Sequence, residues 1–186
     1  VITLQLLNAK LLDVETDLIV VPIFNDLIPL KGEAGYLDWR LNGEISRLIK
    51  ANKISGIFEE VTLISREHKI ACGTALLLGF GKMANLDSPK LATIYSYMAQ
   101  TIKSMGKDRF ALSLSIPSSN AIDDCERLSA GLVEGLADSL IGDKSSGDYT
   151  IAVAEEDAAL LKSLKKGLTK AIRARQLGRK MKIESG

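Results

Sequence analysis

A three-layer α/β domain, with a mixed β-sheet between helices, is the fold class this sequence predicts, and three observations lead there. Apolar runs of strand length alternate along the chain with longer stretches at helical spacing. One run, LIVVPIF at 18–24, is apolar without alternation, the pattern of a strand buried on both faces. Two others, at 61–65 and 74–80, flank a connection too short for a crossover, so they are expected to pair antiparallel.

Taken in order, residues 1–7 predict a first strand, with Ile2, Leu4 and Leu6 on one face. Residues 13–17 form a polar connection to the strand at 18–24, and 25–36, with Pro29, Gly32 and Gly35, read as a loop. Asp38 is placed to cap a helix whose buried stripe is Leu41, Ile45, Leu48 and Ile49. Gly43 inside that helix costs about 1 kcal/mol relative to Ala, which close approach of another backbone would offset. After the antiparallel pair, Asp87 or Ser88 caps a helix with Pro89 in its first turn, Leu91, Ile94, Tyr95, Met98 and Ile102 inward, and Gly106 as its stop.

Residues 109–116 predict a strand, and Pro117, Ser118, Ser119 and Asn120 its exit loop. The helix that follows, to about Ile141, turns Cys125, Leu128, Leu132, Leu136 and Leu140 inward, while Gly131 and Gly135 open a groove for tight packing. A turn at 142–148 leads to a strand at 149–154. The last helix, 155–175, buries Leu161, Leu164, Leu168 and Ile172 and turns Lys162, Lys166, Lys170 and Arg173 outward. Residues 1–175 thus read as one domain and 176–186 as a basic, frayed tail.

The 186 residues suffice for one domain with a real core, and ordinary apolar (46%) and charged (25%) fractions exclude a disordered class. Charge is uneven: residues 151–186 carry nine Lys/Arg and four Asp/Glu, the rest fifteen and nineteen. A mildly acidic body therefore carries a basic end. Aromatic residues at 5% leave little for stacking nucleic-acid bases, which disfavours nucleic acid as a partner. There is no apolar run of membrane-spanning length and no basic-then-apolar leader. Cys72 and Cys125 have no metal-type spacing and read as small apolar residues in a reducing cytoplasm.

No catalytic constellation stands out. His68, the one histidine, falls in a polar turn, which excludes multi-histidine zinc sites, and no carboxylate cluster follows a strand. Gly79-Phe80-Gly81 lacks the third glycine and the immediate helix of a dinucleotide fingerprint. The helix after Pro117–Asn120 could meet an anion at its start, but Asp123 and Asp124 already occupy its first turn. No metal and no cofactor are therefore expected. Ligand-binding candidates are the polar groups of the two loops, Asn25, Asp26, Ser118, Ser119 and Asn120, because ligands of open α/β sheets sit beyond the carboxyl ends of the strands. Partner-contact candidates are Trp39 and Arg40, which the buried stripe does not use, and Lys162, Lys166, Lys170 and Arg173.

Several segments, in order, share one resemblance: DLIVVPIF (Asp17–Phe24), Leu37-Asp38 followed by GEISRL (Gly43–Leu48), ISG…EVTL (Ile54–Leu63), ALLLGFGK (Ala75–Lys82), GLVEGL (Gly131–Leu136) and ARQL (Ala174–Leu177). Together they resemble the N-terminal domain of the leucyl aminopeptidase family, the two-metal cytosolic aminopeptidases. The resemblance implies a macro-domain-like fold. In that family the catalytic domain and its metal-binding residues follow the ARxL segment, and none of those positions maps onto this sequence. The expectation is a non-catalytic, stand-alone relative that serves assembly, regulation or binding, with a second copy or a full-length aminopeptidase as partner. The alternative is a macro-type protein binding a nucleotide-like small molecule, although Pro117–Asn120 is not the glycine-rich loop of that class. Nucleic-acid binding through the basic last helix is a weaker alternative.

Overall fold

The structure is a computed structural model that describes residues 1–117, 121–141 and 147–185, without the side chains of 121–123. Its strands are β1 (Ile2–Leu7), β2 (Ile19–Phe24), β3 (Val61–Ser65), β4 (Thr74–Gly81), β5 (Arg109–Leu112), β6 (Tyr149–Ala154) and β7 (Met181–Ser185). Its helices are α1 (Gly32–Arg40), α2 (Glu44–Lys50), α3 (Ser88–Ser104), α4 (Ala121–Leu140) and α5 (Ala158–Ala174). The strands form one sheet in the order β3-β4-β2-β5-β6-β1-β7. Every pairing is parallel except β3 with β4.

The unalternating run of β2 is explained by its place. It lies between β4 and β5, and its side chains feed two cores at once. Leu18, Val20 and Phe24 join the core under α3, α4 and α5; Ile19, Val21 and Ile23 join the core under α1 and α2. The sheet is thus the middle of three layers.

Helix packing follows the glycines. A Cβ on Gly131 would meet Leu91 Cβ at 2.7 Å, and one on Gly135 would meet Ser96 N at 2.6 Å, so α4 lies directly on α3. Asp87 caps α3 by accepting from the Lys90 N–H at 2.9 Å, and Gly106 leaves it with φ +67°. The Gly79-Phe80-Gly81 stretch is also packing: a Cβ on Gly79 would stand 1.9 Å from the Ile57 carbonyl oxygen.

Four expectations are corrected. The helix expected to start at Asp38 is two: α1 begins within the expected loop, and a break at residues 41–43 precedes α2. Gly43 is the turning point, with φ +76°. A Cβ there would meet only the Arg47 guanidinium, at 3.6 Å, so close backbone approach is not its reason. The strand at 109–116 is shorter, because β5 pairs only through Leu112. The tail read as frayed holds β7, which pairs with β1 from Ile2–Met181 to Leu6–Ser185. Met181 is buried there while Lys182 and Glu184 face out, so an edge strand explains the basic composition that suggested fraying.

Candidate functional site

A cleft of about 710 Å³ opens beyond the carboxyl ends of the adjacent parallel strands β1 and β6. Lys10 and Leu12, after β1, form one side, and Glu156, after β6, lies beside them. The other wall is α1 with its approach: Leu30, Lys31, Gly32, Glu33, Gly35, Tyr36, Trp39 and Arg40. The helix is seated closely. A Cβ on Gly32 would meet Pro117 Cγ at 3.1 Å, and one on Gly35 would meet the Leu30 carbonyl oxygen at 2.9 Å.

Tyr36 and Trp39 lie one turn apart on α1 and are 59% and 79% exposed. Together the two rings form an apolar patch beside the cleft. The helix is held from its inner side by Ala34 and Leu37, both buried, and from its end by Asp38, which accepts from Ser46 on α2.

The polar groups divide by sign. Arg40 is bound to Asp13 at 2.8 Å, and Lys10 lies 3.8 Å from Glu156. Glu155 accepts from Ser115 Oγ and from the Asp157 N–H. Asn8 donates to the carbonyls of Glu155 and Glu156 at 2.9 and 2.8 Å, fixing the turn that carries both carboxylates. Glu33 is different: among the described residues it accepts no hydrogen bond and has no ion-pair partner. Burial, and then the charges of Glu155 and Glu156, push its carboxyl from an ordinary 4.5 up to about 7. The cleft therefore holds a carboxyl group whose charge changes in the neutral range.

The residues singled out from sequence fall in four places. Trp39 and Arg40 line the cleft. Asn25 and Asp26 do not: Asp26 accepts from the Met83 N–H at 3.1 Å, and the buried Asn25 Oδ1 has no hydrogen-bond partner among the described residues. Ser118, Ser119 and Asn120 lie outside the described residues. Lys162, Lys166, Lys170 and Arg173 share the exposed side of α5 along a shallow groove of about 550 Å³, with Lys170 on Glu126 at 2.5 Å. Glu33, Tyr36, Lys10 and Glu156 were missed. Tyr36 and Trp39 at helical spacing were a usable signal; the meeting of Glu33 with Glu155 and Glu156, more than 120 residues away, was not.

A family model described as the cytosol aminopeptidase family, N-terminal domain, matches residues 20–140. The chain belongs to that family. It is 25% identical over 146 residues to a probable cytosol aminopeptidase of Sulfurihydrogenibium sp., a match covering 78% of this chain and 28% of that protein. Among solved structures, a mutant tomato leucine aminopeptidase aligns with 95% of this chain and 38% of its own, at 16% identity and TM-score 0.61. The macrodomain of Oceanobacillus iheyensis, solved with ADP, aligns with 89% of this chain and 90% of its own, at 13% identity and TM-score 0.67. This M17-type N-terminal domain thus has the macrodomain fold and spans little more than a quarter of its curated relative. No helix among its described residues is long and apolar enough to cross a membrane. His68 is exposed, and no cluster of three metal-ligating side chains occurs among the described residues.

Proposed function

We propose that this domain is a binding module, whose task is recognition of a small molecule in the cleft rather than hydrolysis of a peptide bond. The observation that supports the reading is the cleft itself: a concave space at the strand ends, walled by α1 with Tyr36 and Trp39 uncovered. The ADP-bound macrodomain of the same fold agrees with a small ligand at the level of class. The test uses the fact that Trp39 is the one tryptophan in the chain. Titration with a small-molecule panel should change its fluorescence and raise the melting temperature together. A panel that moves neither signal overturns the reading.

A second reading is attachment to an acidic partner through α5, as an assembly module in a reducing cytoplasm. Lys162, Lys166 and Arg173 make no ion pair among the described residues and lie on one exposed side. A second copy, a full-length aminopeptidase or, more weakly, nucleic acid would be the partner. Association that weakens steeply with salt, and is lost in Lys162→Glu/Lys166→Glu, would support it. Association that ignores both would sink it.

A further inference from the structure

We infer that the cleft selects a ligand with a positively charged ammonium or guanidinium group on an apolar or planar body, and turns phosphate-bearing ligands away. This rests on the small-molecule reading above and names the ligand class of that site.

The first support is which charges the cleft leaves open. Lys10 and Arg40 face Glu156 and Asp13, so neither cation is free to receive an anion without losing its partner. Lys31 stands exposed at the mouth, where water screens it. Among the described residues Glu33 is the group left without a hydrogen-bond or ion-pair partner, half-buried on the wall, with Glu155 and Glu156 close enough to act on it. A diphosphate placed there would add negative charge beside Glu155 and Glu156, whose charges already act on Glu33. A cation would relieve the repulsion they already carry.

The second support is independent of charge. Tyr36 and Trp39 offer two exposed ring faces on the side of α1 that carries Glu33, residues 33, 36 and 39 following one another at helical spacing. Rings in that position can receive the body of a ligand, and a cation against their faces gains from the ring quadrupole. An apolar body on the rings, with its charge reaching Glu33, uses both features together.

The pairing carries a pH signature. The titratable and charged groups that line the cleft with Glu33 are Lys31, Tyr36 and Arg40 on its own segment, Lys10 beyond β1 and Glu156 beyond β6, and Glu155 acts on it from the same turn. Glu33, with its carboxyl near 7, is the group that changes charge around neutrality. A cationic ligand should therefore bind more tightly as pH rises from 6 to 8, by roughly tenfold if contact requires the ionised form.

The test is a set of ligands sharing one ring: 2-phenylethylamine, 2-phenylethanol and 3-phenylpropionate, with ADP-ribose as the phosphate-bearing probe. Each is followed at millimolar concentration by Trp39 fluorescence and calorimetry, on the intact chain at pH 6 and pH 8. The expected result is binding of phenylethylamine at least tenfold tighter than phenylethanol, stronger at pH 8. Phenylpropionate and ADP-ribose should be the weakest. Glu33→Gln, whose fold is checked by its melting transition, should lose the preference for the amine and the pH dependence but keep weak binding of the neutral ring. Equal binding of all three ring compounds, or preferred binding of phenylpropionate or ADP-ribose, overturns the charge selection and leaves the small-molecule reading standing. Silence across the whole set overturns both.

Discussion

The Asp38 carboxylate on α1 accepts two hydrogen bonds from Ser46 on α2, one from its backbone N–H at 3.0 Å and one from its Oγ at 2.5 Å. Ser46 is the third residue of α2, so Asp38 caps that helix from eight residues upstream, while Gly43 at φ +76° swings the chain between them. Asp38→Ala should cost about 1–2 kcal/mol, read as a lower urea midpoint with unchanged slope. Ser46→Ala should cost less, because the backbone bond survives. Equal stability of wild type and Asp38→Ala would show that the cap contributes nothing.

Glu33 ties stability to pH. Its carboxyl is raised from 4.5 to about 7, so between those values the folded protein holds a proton that the unfolded chain has released. Stability should then fall as pH rises through that window, with the full penalty present above 7. Glu33→Gln should remove the penalty, gaining on the order of 1–3 kcal/mol at pH 8 and little at pH 4. Melting temperatures across that range would check this, and a Gln variant less stable than wild type at pH 8 would contradict it.

Two glycines should resist even a methyl group. In Gly135→Ala the new carbon would lie 2.6 Å from Ser96 N and 2.7 Å from the Ala92 carbonyl oxygen, both backbone atoms of α3. Separation of α3 and α4 should cost about 1–3 kcal/mol in denaturant unfolding. Gly79→Ala should cost more, since its methyl would sit 1.9 Å from the Ile57 carbonyl oxygen. Gly147→Ala, with nothing within 4 Å, is the control and should be close to neutral.

Trp39 separates recognition from folding. It is 79% exposed, so Trp39→Ala should change stability by no more than about 0.5 kcal/mol. The same change should weaken any cleft ligand markedly by calorimetry. A large loss of stability would mean that the indole is a packing element.

A binding role also predicts that this 186-residue chain, purified and supplied with manganese or zinc, does not hydrolyse leucine anilides. Robust metal-dependent turnover, absent from a mock preparation, would refute it.

Much of the fold could be read from short-range pattern. The unbroken run of β2, the Asp87-Ser88-Pro89 helix start and the paired glycines of α4 each state their surroundings locally. What could not be read depends on partners distant in sequence. Asp38 looked like the start of a helix because a capping residue does not announce which helix it caps. Residues 176–186 looked frayed because an edge strand needs little apolar character of its own when β1 supplies the ladder. The cleft was half legible: Trp39 and Arg40 stood out as unused by the buried stripe. Glu33 acquires its character from burial in the folded chain and then from the end of β6, neither of which is local in sequence.

The position of β1 has a consequence for how the molecule is made. Its hydrogen-bonding partners are residues 149–154 on one side and 181–185 on the other. During vectorial synthesis β1 can pair with neither of these native partners until residues 149–154 have been made. At roughly 5–20 residues per second, β1 must wait roughly 7–30 s before β6 exists to pair with it, and longer before α5 covers Ile2, Leu4 and Leu6. For that interval the nascent chain displays an uncovered apolar strand, a natural target for a chaperone. The cleft shares the delay, because Lys10 and Glu156 become neighbours only when β1 closes against β6.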